Sequence, residues 1–154
     1  LYDDTATGGG RVRERHFFDD AVTYNDGTGN ATERLTYRYD AFGRTVEQKH
    51  FRSYGQIDRY TWSFDAQGQL IEETSPQGVI FYEYDTLQRK TRMLAGGVGF
   101  QPAMNPSAAF SDTRYSYDAL GRLSSVVLLD NNPMLAGNQS ETTTYRYDLL
   151  GRND

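Results

Sequence analysis

Along most of the chain, apolar and polar side chains alternate with a period of two, and a recurring Asp-x-x-Gly step interrupts the alternation. In the fullest copy, Tyr115-Ser116-Tyr117-Asp118-Ala119-Leu120-Gly121-Arg122-Leu123, two rings flank one polar residue and the turn follows at once. Strand side chains point alternately to opposite faces, so the two rings share one face and Ser116 takes the other. Asp then opens a turn and Gly closes it, which predicts a three-residue hairpin loop: a type I turn followed by a left-handed residue. The Asp carboxylate can accept a backbone N–H inside the turn, and Gly takes positive φ with no Cβ to clash. This register sets Asp118 opposite Arg122, Tyr117 opposite Leu123 and, in another copy, Phe64 opposite Leu70.

The unit recurs. Tyr37, Tyr39, Asp40, Gly43 and Arg44 form one copy, and Trp62, Phe64, Asp65 and Gly68 the next, with Gln69 where Arg stands elsewhere. Tyr82, Tyr84, Asp85 and Arg89 follow, with Gln88 in the place of Gly, and Tyr145, Tyr147, Asp148, Gly151 and Arg152 end the series. A degenerate copy, His16-Phe17-Phe18-Asp19, precedes them, and Tyr2-Asp3 with Gly10-Arg11-Val12 has the look of another remnant. Starts at 16, 37, 62, 82, 115 and 145 describe a basal unit of about twenty residues stretched by insertions. The stretches Ala95–Ser111 and Leu129–Thr143, rich in Gly, Pro, Asn and Ser, are expected to be surface loops. Residues 1–154 thus form one repeat array.

The middle residue of each copy (Arg38, Ser63, Glu83, Ser116, Arg146) is polar, so the face that collects the rings is expected to be the drier one. Repetition at a fixed position predicts that each ring stacks on the rings of the neighbouring repeat, at about 0.2–1 kcal/mol per cross-strand contact. Gln88 is expected either to enter the left-handed region at a cost on the order of 1 kcal/mol or to change the turn type there. The fold class is all-β, with about six antiparallel hairpins side by side in one curved sheet.

Composition supports strands and removes several classes of function. Twelve Tyr, eight Phe and one Trp among 154 residues are more aromatic than a disordered chain would carry, although the mean hydropathy is −0.74. No stretch approaches the roughly 20 apolar residues of a membrane-spanning helix, so no membrane insertion is expected. A net charge of −5 argues against nucleic acid as the partner. Without Cys there are no disulfides, thiol nucleophiles or Cys-ligated metals. Lys49 and Lys90 are the two lysines and every other basic residue is Arg, whose flat guanidinium stacks on rings and forks onto carboxylates.

The string Tyr-x-Tyr-Asp-x-x-Gly-Arg-Leu resembles the YD repeat of the YD-repeat, or RHS (rearrangement hotspot), family in its bacterial form, and the resemblance runs from about Tyr2 to Arg152. That family includes bacterial polymorphic toxins, the shells of insecticidal toxin complexes, and the animal teneurins. The resemblance implies β-hairpins joined into a long strip that spirals into a hollow shell around a toxin domain. It also implies a secreted or cell-surface setting. No Asp-Pro-x-Gly-type processing element is found, so a segment of a longer array is expected. The partners implied are flanking repeats, or a second copy added at a sheet edge, together with an enclosed toxin polypeptide.

Chemistry-bearing constellations are scarce, and neither an enzyme nor a cofactor is expected. His16 reads as a substitute for a repeat Tyr and His50 as a strand side chain, with no Ser nucleophile in a recognisable elbow near either. The doublets Asp3-Asp4, Asp19-Asp20 and Glu72-Glu73 would point to opposite faces of a strand, which does not suit a glycosidase pair. Asn25-Asp26-Gly27-Thr28-Gly29-Asn30 lacks the spaced carboxylates of a calcium loop, and Thr7–Gly10 and Gly96–Gly99 lack the Lys-Ser/Thr of a phosphate loop. The competing class is an adhesion module that binds a carbohydrate or a cell-surface receptor through the two insertions. Its rings would be those outside the motif: Tyr24, Tyr54, Tyr60 and Phe100.

Overall fold

The computed structural model describes residues 14–17, 33–52, 57–105, 108–130, 139–148 and 151–152. All ten elements among them are strands: β1 (Glu14–Phe17), β2 (Glu33–Tyr39), β3 (Thr45–Phe51), β4 (Ile57–Phe64), β5 (Leu70–Ser75), β6 (Gly78–Tyr84), β7 (Lys90–Gly96), β8 (Ser111–Tyr117), β9 (Leu123–Asp130) and β10 (Gln139–Thr144). The chain divides into two compact units, Leu1–Ser63 with Thr74–Pro76 and Phe64–Glu73 with Gln77–Asp154.

In the first unit β1 pairs with β2, β2 with β3 and β3 with β4, all antiparallel. In the second, β6 to β10 pair in chain order, again antiparallel. Local sequence dictates the pairings of β2 with β3, β6 with β7 and β8 with β9, because each Asp turn returns the chain beside the strand it has just left.

The turns have the expected architecture. The Gly121 N–H donates to the Asp118 carbonyl at 2.9 Å, and the Asp118 N–H to the Arg122 carbonyl at 2.8 Å. Gly43, Gly68, Gly121 and Gly151 have φ of 81°, 89°, 80° and 78°, and Gln88 takes the same left-handed conformation at 64°. The extra residue shifts the register just before the turn, between Ser116 and Tyr117 for instance, so that Tyr117 lies opposite Leu123. Equivalent bulges fall between Arg38 and Tyr39 and between Glu83 and Tyr84.

At the motifs the rings are half-buried and the middle residues exposed, yet the core of the second unit lies on the opposite face. Its buried residues are Val79, Leu94 (1% exposed), Phe100 and Ala109, with Phe81 packed against them. Val79 lies opposite Gly96 and Phe81 opposite Leu94, whereas Tyr82 lies opposite Met93, so alternation puts this core on the face away from Tyr82 and Tyr84. The rings are half-buried; the driest spot lies behind them.

What dries that spot is the first insertion, which is shorter than expected and is not simply a surface loop. Ala95 and Gly96 end β7 and Ser111 begins β8, leaving 97–110 between them. Phe100 folds back onto Gly96 and meets Phe81 edge-on at 6.0 Å between centroids. The Phe110 N–H closes the excursion on the Ala95 carbonyl at 2.7 Å. Gly96 is therefore a packing site, where a side chain would collide with Phe100. The second insertion also contracts, since Leu129 and Asp130 complete β9 and Gln139–Thr143 belong to β10.

Candidate functional site: the seam between hairpins

At each hairpin tip the Asp carboxylate organises the loop. Asp118 Oδ1 accepts the backbone N–H groups of Leu120 and Arg122, each at 2.9 Å, while its Oδ2 takes Arg122 Nε at 2.7 Å. Asp85 does the same with Leu87 and Arg89, and Asp40 with Phe42 and Arg44. The backbone N–H of Arg89 and the guanidinium behind it hold the Asp85 carboxyl below its ordinary range; Arg122 does so for Asp118. The Arg is thus fixed at its root before it meets anything beyond its own turn.

That fixed guanidinium joins one repeat to the next. Arg89 lies over the ring of Tyr117 at 4.4 Å, and Arg122 over that of Tyr147 at 4.3 Å. The same two rings donate their hydroxyls back: Tyr117 to the Lys90 carbonyl and Tyr147 to the Leu123 carbonyl, both at 2.7 Å. Tyr84 donates likewise to the Leu70 carbonyl at 2.8 Å. In each case the acceptor is the residue after the turn's Arg or Gln. Ring-on-ring stacking, the expected stabiliser, is replaced at Tyr117 and Tyr147 by guanidinium on ring.

The Gln69 copy departs from this. Its backbone N–H still donates to Asp65 Oδ1 at 2.8 Å, but its side-chain amide turns to the Gln88 carbonyl at 3.0 Å. The two irregular residues, Gln for Arg and Gln for Gly, meet at one seam. A Cβ on Gly121 would lie 3.5 Å from Arg89 Nη1, an ordinary contact distance, so the arginine runs close by the next turn's left-handed residue, the position that Gln88 holds beside Gln69.

The middle residues Arg38, Ser63, Glu83, Ser116 and Arg146 are exposed. On that face of the second unit sits a cluster that sequence reasoning missed. Asp112, 4% exposed, receives Arg92 Nε and Nη2 at 2.8 and 2.7 Å, and Arg114 Nη2 at 2.8 Å. Arg92 first, then Arg114, hold its carboxyl down to about 2. In the first unit, Glu47 collects Arg59 at 2.6 Å and Lys49 at 3.3 Å. No sequence signal separated Asp112 from other strand carboxylates; the arginines two residues on and on the facing strand were the only clue.

The remaining motif residues lie where their strands put them. Tyr37 and Tyr39 sit on β2 opposite Gln48 and Thr45, Trp62 and Phe64 end β4, Tyr115 faces Val126, and Tyr145 and Tyr147 follow β10. His16 is in β1, and His50 in β3 lies opposite Asp58, which takes Arg52 Nε at 2.7 Å. Among the described residues no group of three His, Asp or Glu could hold a metal. Of the rings proposed for a ligand, Phe100 is in the core and Tyr60 is half-buried on β4, while Tyr24 and Tyr54 lie outside the described residues. The doublets at 3–4 and 19–20, the Gly-rich 7–10 and the 25–30 loop also lie outside them.

Fold and seam define an all-β protein of hairpins in tandem, stitched at their tips. The chain matches no protein-family model and no curated protein.

Proposed function

We propose that this chain is a structural segment of a YD-repeat shell: a wall or scaffold of a large secreted or surface protein, with no catalysis of its own, enclosing a toxin-type polypeptide. The observation that carries the reading is the recurrence of one stitch, hydroxyl to carbonyl and guanidinium to ring, between consecutive hairpins. Each repeat finds its principal partners in the repeat beside it, the arrangement of quasi-one-dimensional arrays that grow by adding units. Such an array makes a continuous barrier of backbone hydrogen bonds without needing a large central core, and the described residues bury only four hydrophobic side chains.

Flanking repeats or a second copy would satisfy the backbone groups of the terminal strands. Sedimentation velocity over a concentration series, with far-ultraviolet circular dichroism on the same samples, tests the proposal. A β spectrum with concentration-dependent association is expected of a wall segment. A compact monomer at every concentration, coupled to saturable binding on a glycan array, would overturn it in favour of the adhesion module.

A further inference from the structure

The irregular seam leaves an opening. A cleft of about 450 Å³ lies there, lined by Asp65, Gln67, Gln69, Tyr82, Tyr84 and Gln88 among others. In the two seams that follow, the corresponding place is filled. Arg89 is held between the Asp85 carboxylate and the Tyr117 ring, and Arg122 between Asp118 and Tyr147.

At the irregular seam the acceptors persist and the cation is missing. Asp65 Oδ1 is used by the Gln69 backbone N–H as in every other turn. Among the described residues no arginine reaches its Oδ2 and no cation lies over the Tyr84 ring. The carboxylate and the ring both line the cleft, and burial and then the Asp65 charge push the Tyr84 hydroxyl up from its ordinary range. Gln67 and Gln88 are exposed, so the cleft is open to solvent.

We propose that this cleft docks the side chain of an arginine carried by another polypeptide segment, its guanidinium taking the place that the repeat's own arginine holds elsewhere. A flat cation with a fork of donors matches both surfaces at once, stacking on Tyr84 while donating to Asp65 Oδ2. A lysine ammonium offers a point charge without a face to stack, and a neutral sugar leaves the carboxylate's charge unanswered. Gln69 and Gln88 line the cleft, and their side-chain amide oxygens are further acceptors for the guanidinium's remaining N–H groups.

The test is a nuclear magnetic resonance titration of the whole 154-residue chain with Nα-acetyl-arginine amide, using the citrulline analogue as its neutral isostere. Saturable shifts of the Tyr84 ring and the Gln69 side-chain amide are expected, with the citrulline compound at least roughly tenfold weaker. Gln69→Arg, which restores the repeat's own guanidinium, should abolish the shifts and raise the melting temperature; Asp65→Asn should weaken binding by about tenfold. Should Asp65→Asn fail to fold, Gln69→Arg decides, because it keeps every contact of the turn. Equal binding of both compounds, undiminished binding to Gln69→Arg, or shifts produced by a methyl glycoside but not by the arginine compound would each overturn the proposal.

Discussion

The guanidinium of Arg122 lies 4.3 Å from the centre of the Tyr147 ring, and that ring's hydroxyl donates to the carbonyl of Leu123, the residue next to the same arginine. One ring is therefore held at its face by a side chain and at its hydroxyl by the backbone one residue on. Arg89 and Tyr117 repeat the relationship one hairpin earlier. The Arg and the second Tyr of the motif thus serve the junction between repeats, whereas the Asp and Gly serve the turn within each.

If the junction holds the hairpins together, Tyr117→Phe should destabilise the chain by about 1 kcal/mol, the usual net contribution of one hydrogen bond. The ring stays, so the guanidinium contact is kept. Replacing Arg89 by Gln in the parent and in a Tyr117→Leu background, which removes the ring, isolates the contact itself, expected to be worth about 0.5–1 kcal/mol. Urea denaturation of the four proteins measures it, and a coupling of zero would remove the guanidinium–ring contact from the seam.

Gln88 presents the opposite case, a strained residue whose repair should help. Its φ of 64° places an L side chain where four sister turns carry glycine. Gln88→Gly relieves a left-handed cost on the order of 1 kcal/mol, partly offset by the greater freedom of glycine in the unfolded chain. A net gain of a few tenths to about 1 kcal/mol is expected, visible as a rise in melting temperature. Gly121→Ala should move the melting temperature the other way, since the same conformation would then carry a Cβ.

The hairpins were legible in the sequence because their determinants are local. Asp118, Gly121 and the period of two fix the loop and the Tyr117–Leu123 register within nine residues. The seam was half legible: the abundance of Arg beside Tyr announced guanidinium on ring, yet which Arg meets which Tyr depends on how successive hairpins pack. An Arg that closes one turn, followed 25 or 28 residues on by the second ring of the next copy, is the signal that would have paired them. The core was not legible, because Phe100 and Ala109 stand singly in a Gly- and Pro-rich stretch with no periodicity to mark them. The cleft was visible only as two separate departures, Gln69 and Gln88, whose meeting required the fold.

The insertion should behave as a folded-back lobe. A Cβ on Gly96 would lie 2.2 Å from Phe100 Cγ, so Gly96→Ala must displace the ring, at an expected cost of about 1–3 kcal/mol. Phe100→Ala removes the ring outright and should cost about 3 kcal/mol. Because both act on one contact, the double variant should cost less than the two single costs added together. Limited proteolysis should then cut within 97–110, while Met104→Ala, at a side chain 86% exposed, leaves the cutting pattern and the stability unchanged.

Asp112 gives the chain an acid-sensitive contribution whose sign is fixed. Its folded carboxyl titrates at about 2 against an ordinary 3.8, so the unfolded chain takes up the proton first. The stabilisation, on the order of 2 kcal/mol, is complete above about pH 4 and is lost as the pH falls through about 2. Asp112→Asn keeps the shape and removes the charge, leaving Arg92 and Arg114 without their shared partner. The variant should be less stable than the parent by that amount at neutral pH, with the gap closing on acidification, because the parent then loses the same charge. The other carboxylates held low by their turns, Asp85 and Asp118, titrate in both proteins and cancel in the difference. Urea midpoints measured for the pair between about pH 2 and pH 7 decide the matter: a gap that stays constant across that range would mean the cluster acts through packing and not through charge.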